Sequence, residues 1–372
     1  MKIEPFGVEI WMNEWENKCE WNLAETCVES VTIEKLLELA GKNSDDLSDL
    51  LSMKMTYGAI EGSERLRTAI CTLYEKQTID NVIVTHGTIG ANMLVHRTLV
   101  SAGDRVVAVV PTYQQHYSIP DSIGAEVYLC KLREENGFLP DLEELRALIV
   151  PGTRLVALNN PNNPTGALMD RAMLEEIADM ARAVGAWILC DEVYRGTDQQ
   201  GSGITISIAD VYEKGISTAG MSKAFSLAGL RLGWIAAPPD LIEQVSIHRD
   251  YDTISVGIIN DHFAALALES SEKVLERSRQ ITRGNLKILE NWVQQEPRIS
   301  WVKPMAGTTT LLRYDLPMSS RDFCVALLKD TGVMFTPGSA LNMEGYVRVG
   351  YANNPEILRK GLELVTGFLA KQ

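Results

Sequence analysis

The chain predicts an α/β fold, in which a large domain with a mostly parallel central sheet flanked by helices adjoins a smaller α+β domain. Three observations carry this. Short apolar runs alternate with helical patterns from about residue 62 to 249, and the texture changes beyond residue 250. The 372 residues, 45% of them hydrophobic, also suffice for one large core and a satellite.

The runs at 81–85, 105–110, 126–132, 154–158, 186–190, 216–219 and 232–236 read as strands. Their apolar character is continuous rather than alternating, which predicts burial on both faces, as in parallel sheets. Helix patterns lie between most of them; one over 170–184 has Asp170 as its N-cap and Gly185 just past its end. Beyond residue 250, Val274, Ile281, Ile288 and Trp292 mark a helix over 270–295. Strands at 299–303 and 308–314, a helix at 320–331, a strand at 346–351 and a helix from 355 complete the smaller unit. The first forty residues, with a helix over 33–40 stopped at Gly41, are expected to pack against it. The expected division is therefore 44–269 for the large domain, and 1–43 with 270–372 for the small one.

A formal net charge of −14 disfavours nucleic acid and anionic lipid as partners. No apolar run approaches a membrane span, and Met1-Lys2-Ile3-Glu4-Pro5 lacks the basic start and apolar core of a secretory signal. Cys19, Cys27, Cys71, Cys130, Cys190 and Cys324 are scattered without a C-x-x-C pair, and the five histidines show no metal-ligand spacing. The expectation is a soluble cytoplasmic protein with reduced thiols and no metal.

One stretch carries the chemistry. Ser222-Lys223 is followed eight residues later by Arg231, which offers an amine able to form a Schiff base and a fixed cation for a phosphate. Pyridoxal phosphate needs both. Its phosphate also wants backbone N–H donors at a helix start, and the turn Gly87-Thr88-Ile89 follows a strand where a helix should begin. By itself such a turn is only a structural glycine turn. The pyridine nitrogen needs an anion, and Asp191 ends an apolar strand, so its carboxylate should emerge at the sheet's carboxyl edge. An apolar strand ending in Asp-Glu also suits a nucleotide hydrolase, but no G-x-x-x-x-G-K-[ST] precedes it.

Hydrogen-bond donors for the ring's phenolic oxygen come from Tyr194 and from Asn163 within Asn160-Pro161-Asn162-Asn163-Pro164-Thr165-Gly166, where two prolines restrict the loop. Tyr113, after another strand, can stack on the ring face or simply pack in the core. A substrate carboxylate suits arginine, and Arg348 interrupts an otherwise apolar strand. An exposed strand face would explain that arginine equally well.

Together, from Tyr57 to Tyr351, these motifs resemble the class I/II aminotransferases of the fold-type I pyridoxal-phosphate superfamily. The resemblance implies an aminotransferase that moves an amino group between an L-amino acid and a 2-oxo acid through a Schiff base on Lys223. It makes Asp191 the partner of the ring nitrogen, Asn163 and Tyr194 the ligands of the phenolic oxygen, and Tyr113 the stacking ring. Gly87, Thr88, Ile89, Ser222 and Arg231 become the phosphate site, and Arg348 the carboxylate clamp, with Asn163 beside the substrate. A homodimer is implied too, with Tyr57 reaching the neighbouring subunit's site.

Two departures stand out. Where many members carry a hydroxyl residue three before the lysine, this chain has Gly220, which predicts a missing phosphate contact. The segment Trp21-Asn22-Leu23-Ala24-Glu25-Thr26 leans toward a subset that includes capreomycidine-synthase-like enzymes and arginine-using relatives. There Glu25 either pairs with a basic substrate or is an ordinary solvated acid. Trp11, Trp15 and Trp21 suggest a lid or a dimer arm. The same residues would equally serve a pyridoxal-phosphate lyase, cyclase or oxidase acting on an amino acid. A non-catalytic regulator on this fold is disfavoured by the intact Lys223 and the absence of a basic face. As a base, Lys223 requires a depressed pKa or release as the neutral amine.

Overall fold

The structure, a computed structural model, describes residues 2–372 apart from the Asp49 side chain. In chain order, β1 (Trp21–Asn22) precedes β2 (Val82–Thr85), β3 (Arg105–Val110), β4 (Glu126–Lys131), β5 (Thr153–Asn159), β6 (Trp187–Asp191), β7 (Gly215–Gly220) and β8 (Gly233–Ala236). Then come β9 (Ile299–Trp301), β10 (Thr309–Tyr314), β11 (Val333–Met334), β12 (Thr336–Pro337) and β13 (Tyr346–Gly350). The seven strands expected between residues 81 and 236 are β2 to β8, and they form one sheet in the order β2-β8-β7-β6-β5-β3-β4. All neighbours are parallel except β8, which runs against both β2 and β7.

That topology decides where ligands can bind. Two reversals leave β2 parallel to β7, so β2, β5, β6 and β7 all end at the same edge. There Asn159 pairs with Asp191, and Asp191 with Thr218. The helix Gly87–Leu99 starts directly after β2, so its N-terminus falls at this edge too. Open α/β sheets bind their ligands in this position. Between β5 and β6 the helix Arg171–Val184 forms as its caps predict. The Asp170 side chain accepts from Met173 N, and Gly185 takes the left-handed conformation at φ 75°.

The second sheet has the order β12-β13-β10-β9, all antiparallel. It shares a core with the helices Ser320–Thr331 and Pro355–Leu369 and with Trp11, Leu23 and Ala24 from the N-terminal segment. The expectation for the first forty residues is corrected in part. Leu36 and Leu37 of the helix Ile33–Leu39 pack with Leu66, Ile70 and Trp234 beside the large sheet. The reading of the tryptophans is corrected for Trp11, which is core. Trp11 is fully buried and its indole N–H donates to Phe335 O at 2.9 Å, Trp15 lies against it, and Trp21 pairs with Val333. A buried indole with its single donor satisfied is a core anchor. The long helix Ser271–Val293 touches both cores, giving Val274 and Leu275 to one and Leu286, Leu289 and Val293 to the other.

Candidate active site

A cavity of about 350 Å³ opens at the carboxyl edge of the large sheet and is closed by the N-terminal segment and β13. Of the thirteen residues the sequence nominates, eleven line it: Glu25, Thr88, Ile89, Tyr113, Asn163, Asp191, Tyr194, Ser222, Lys223, Arg231 and Arg348. Gly87 sits just behind that wall, and Tyr57 stands apart at 78% exposure.

Asp191 forms the floor. It is 4% exposed, and its carboxylate accepts from Asn92 Nδ2 at 2.8 Å and from Val193 N at 3.1 Å. Asn92 is itself fixed by Thr218 Oγ1, 2.6 Å from its Oδ1. His116 Nε2 lies 3.7 Å behind the carboxylate, and no lysine or arginine pairs with Asp191 among the described residues. A buried carboxylate without a full cationic partner is costly, and a cation in the cavity would offset that cost.

The residues expected to hold a phosphate lie close together. Gly87 has φ 68°, which a side chain resists, and an added Cβ would lie 3.1 Å from Arg231 Nη2. Arg231 is itself left-handed and reaches Ala228 O at 2.9 Å and Ser222 Oγ at 3.4 Å. At Gly220, where the hydroxyl side chain of other members is missing, Thr88 stands close. A Cβ there would stand 2.6 Å from Thr88 Oγ1, so Thr88 occupies the room that a side chain at 220 would take. That hydroxyl is buried and has no partner among the described residues.

Asn163 and Arg348 meet on the opposite wall. Arg348 is 3% exposed and donates to Asn163 Oδ1 at 3.3 Å, Thr336 Oγ1 at 3.2 Å and Ala24 O at 3.3 Å, while its Nε has no partner. Its strand is buried on both faces, so the exposed-face explanation falls. Burial lowers its pKa from the usual arginine value. The Asn-Pro loop owes its shape to more than its prolines. Asn163 N donates to Asn159 Oδ1 at 2.7 Å, and Asn160 exchanges two hydrogen bonds with the backbone of Met169. Tyr113 donates its hydroxyl to Glu9 at 2.9 Å and packs on Phe6.

Lys223 points toward the N-terminal segment. Its Nζ donates to Thr26 Oγ1 at 2.5 Å and to Cys27 Sγ at 3.4 Å. Burial alone would lower its pKa, but Tyr194, Cys27 and Glu25 outweigh burial and raise it. Of these only Glu25 carries charge at neutral pH, because burial raises the Tyr194 phenol and pushes the Cys27 thiol up to about 11. The depressed pKa required of a resting base is therefore not present in the free side chain. Glu25 is no solvated surface acid. Burial pushes it upward, yet Lys223 and the amides of Cys27 and Thr26, which donate to its Oε1 at 2.8 and 2.6 Å, hold it below the usual range.

Sequence reasoning missed Asn92, Asn159, His116, Thr26, Cys27, Glu9 and Glu16. One signal was available, since Thr88, Asn92 and His96 fall four apart and put a polar stripe on one helix face. No comparable period marks the others. Glu9 and Glu16 line the cavity, and Glu16 is raised by burial, then by the nearby charges of Glu25 and Glu9. Lys223 opposes that rise from a distance.

The residues present fit pyridoxal phosphate. The unpaired Thr88 hydroxyl and the Arg231 cradle suit a phosphate, and Asp191, with His116 but no lysine or arginine beside it among the described residues, suits a protonated ring. Comparisons with known proteins agree. Residues 33–363 match the family profile for aminotransferase class I and II. The chain is 29% identical to a capreomycidine synthase of Streptomyces vinaceus, covering 96% of this chain and 92% of that one. It is also 29% identical to an arginine–pyruvate transaminase of Pseudomonas aeruginosa, covering 84% and 82%. A crystal structure of a PLP-dependent aminotransferase from Streptococcus suis superposes with a TM-score of 0.97 at 43% identity, covering 100% and 99%.

Proposed function

The chain belongs to the class I and II aminotransferases, and on that footing we propose that it moves an amino group between an L-amino acid of cationic side chain and a 2-oxo acid, with Lys223 as the cofactor-bearing lysine. Its cofactor is pyridoxal phosphate. One observation carries the reading: the Lys223 amine and the buried Asp191 carboxylate line a single cavity.

When bound, pyridoxal phosphate supplies an aldehyde that condenses with amines and a ring that withdraws the electron pair released at Cα. The chain's own residues do the rest. Asp191 would hold the proton of the ring nitrogen, and its anchoring by Asn92 and Val193 N keeps the carboxylate aimed without neutralising it. Tyr194 and Asn163 would donate to the phenolic oxygen, and Tyr113 would cover the ring face. Thr88, Ser222, Arg231 and the Gly87–Ile89 backbone would hold the phosphate. Arg348, desolvated and with a free Nε, would take the substrate α-carboxylate. Lys223 Nζ would take the Cα proton and carry it away from Cα toward the cofactor, as amino transfer requires; its raised pKa makes the free amine a strong base once it has shed its own proton.

The preference for a cationic side chain rests on the cover. Glu9, Glu16 and Glu25 bring negative charge to the wall facing the substrate, and Lys223 offsets that of Glu16 only from a distance. Glu25 contributes field rather than contact, since its own loop occupies Oε1. The similarity to a capreomycidine synthase over nearly the whole chain supports a second reading, cyclisation or elimination on the same kind of substrate. An assay with arginine, lysine, aspartate and leucine as donors and pyruvate as acceptor separates the two. We expect keto acid and alanine in equal amounts with the cationic donors; ammonia, peroxide or a cyclic product without alanine would overturn transamination.

We read the chain as a 44–269 large domain with a small domain from 1–43 and 270–372, except that the helix Ile33–Leu39 packs with the large domain. We also read it as a homodimer, in which the exposed Tyr57 serves the neighbouring site. The cytoplasmic location is likewise our reading, supported by six cysteines that stand as free thiols.

A further inference from the structure

We propose that Thr26 is a positioning residue for the free Lys223 amine, holding Nζ beside the Cys27 thiol. The inference rests on Lys223 being the cofactor-bearing lysine and adds a part that the sheet does not supply. Nζ lies 2.5 Å from Thr26 Oγ1 and 3.4 Å from Cys27 Sγ. A hydroxyl has one proton and two lone pairs, so it can accept from the ammonium or donate to the neutral amine.

The hydroxyl is held in place from several sides. Thr26 N and Cys27 N donate to Glu25 Oε1 at 2.6 and 2.8 Å. Thr26 O accepts from Thr308 Oγ1 at 2.6 Å, and Asn22 Oδ1 caps Ala24 N and Glu25 N just upstream. A β-branched side chain on a backbone fixed this way has little rotamer freedom. Thr26 therefore keeps the amine at one place after release, which is where a base must wait for its proton. Because the ammonium is the better donor, the contact also favours the charged amine. The charged and titratable groups that line the cavity with Lys223 are Glu9, Glu16, Glu25, Cys27, Tyr113, Asp191, Tyr194, Arg231 and Arg348, and each is unchanged in the test below.

The test compares wild type with Thr26→Val, which loses the hydroxyl at equal shape, and Thr26→Ser, which keeps it. Thr26→Ala is a second hydroxyl-free variant. In the full chain freed of cofactor, acetic anhydride labelling of Lys223 is followed against pH by mass spectrometry. Both hydroxyl-free variants should label with a midpoint about one pH unit lower, and Thr26→Ser should match wild type. In the loaded enzyme kcat should fall about tenfold without change in KM, and Thr26→Ser should restore it. Midpoints and kcat equal to wild type in the hydroxyl-free variants would overturn the inference. Borohydride reduction of each loaded variant keeps the two claims apart. Cofactor fixed to Lys223 with no Thr26 effect refutes only the positioning role, whereas cofactor fixed elsewhere refutes the lysine assignment itself.

Discussion

The floor of the cavity and its cover carry charge in opposite ways. The floor is made of strand ends, and its one carboxylate, Asp191, is buried and held from two sides. The cover comes from the first helix, Gly7–Trp15, and the loop after β1. Its acids are partly exposed, and Lys223 acts on Glu16 only from a distance. Backbone fixed by a seven-stranded sheet cannot adjust to different ligands, so the floor suits the cofactor, which never changes. The cover is pinned through side chains and a two-residue strand, so it suits the part that distinguishes substrates.

If that division holds, substitutions in the two regions should differ in kind as well as size. Asp191→Asn keeps the shape of the floor and removes its charge; kcat should fall about a thousandfold with every donor. A loss below tenfold, measured by steady-state kinetics, would put floor and cover on the same footing. Glu16→Gln acts on the cover, where solvent screens the charge. It should lower kcat/KM about threefold for arginine and lysine, and leave leucine unchanged. An equal effect on all donors would remove the specificity role and leave the cover as mere enclosure.

The same contrast explains what could be read in advance. The floor was legible because its signals are local: continuous apolar runs ended by Asp191 or followed by Gly87, and the Ser222-to-Arg231 spacing. Each follows from one strand and one turn. The cover was not legible, because Thr26 and Cys27 reach Lys223 across 197 and 196 residues of chain, and no period or cap marks them. Trp11 illustrates the same limit. Its burial against Phe335 depends on a contact 324 residues away, so the aromatic spacing alone suggested a lid. Arg348 was ambiguous for a related reason: only the pairing of β13 between β10 and β12 shows that both faces of its strand are covered. At Gly220 the sequence shows only an absent hydroxyl; that Thr88 stands beside it depends on the fold.

The central claim is that one cavity brings the Lys223 amine and the Asp191 carboxylate to opposite sides of one cofactor, and a single measurement tests it most directly. Borohydride reduction of the pyridoxal-phosphate-loaded chain, followed by peptide mapping of wild type and Asp191→Asn, reads both residues at once. We expect one cofactor per chain, attached at Lys223 in both proteins, with the absorbance of the lysine-linked cofactor displaced in Asp191→Asn. Attachment at another lysine, or identical spectra over the whole pH range, would contradict it.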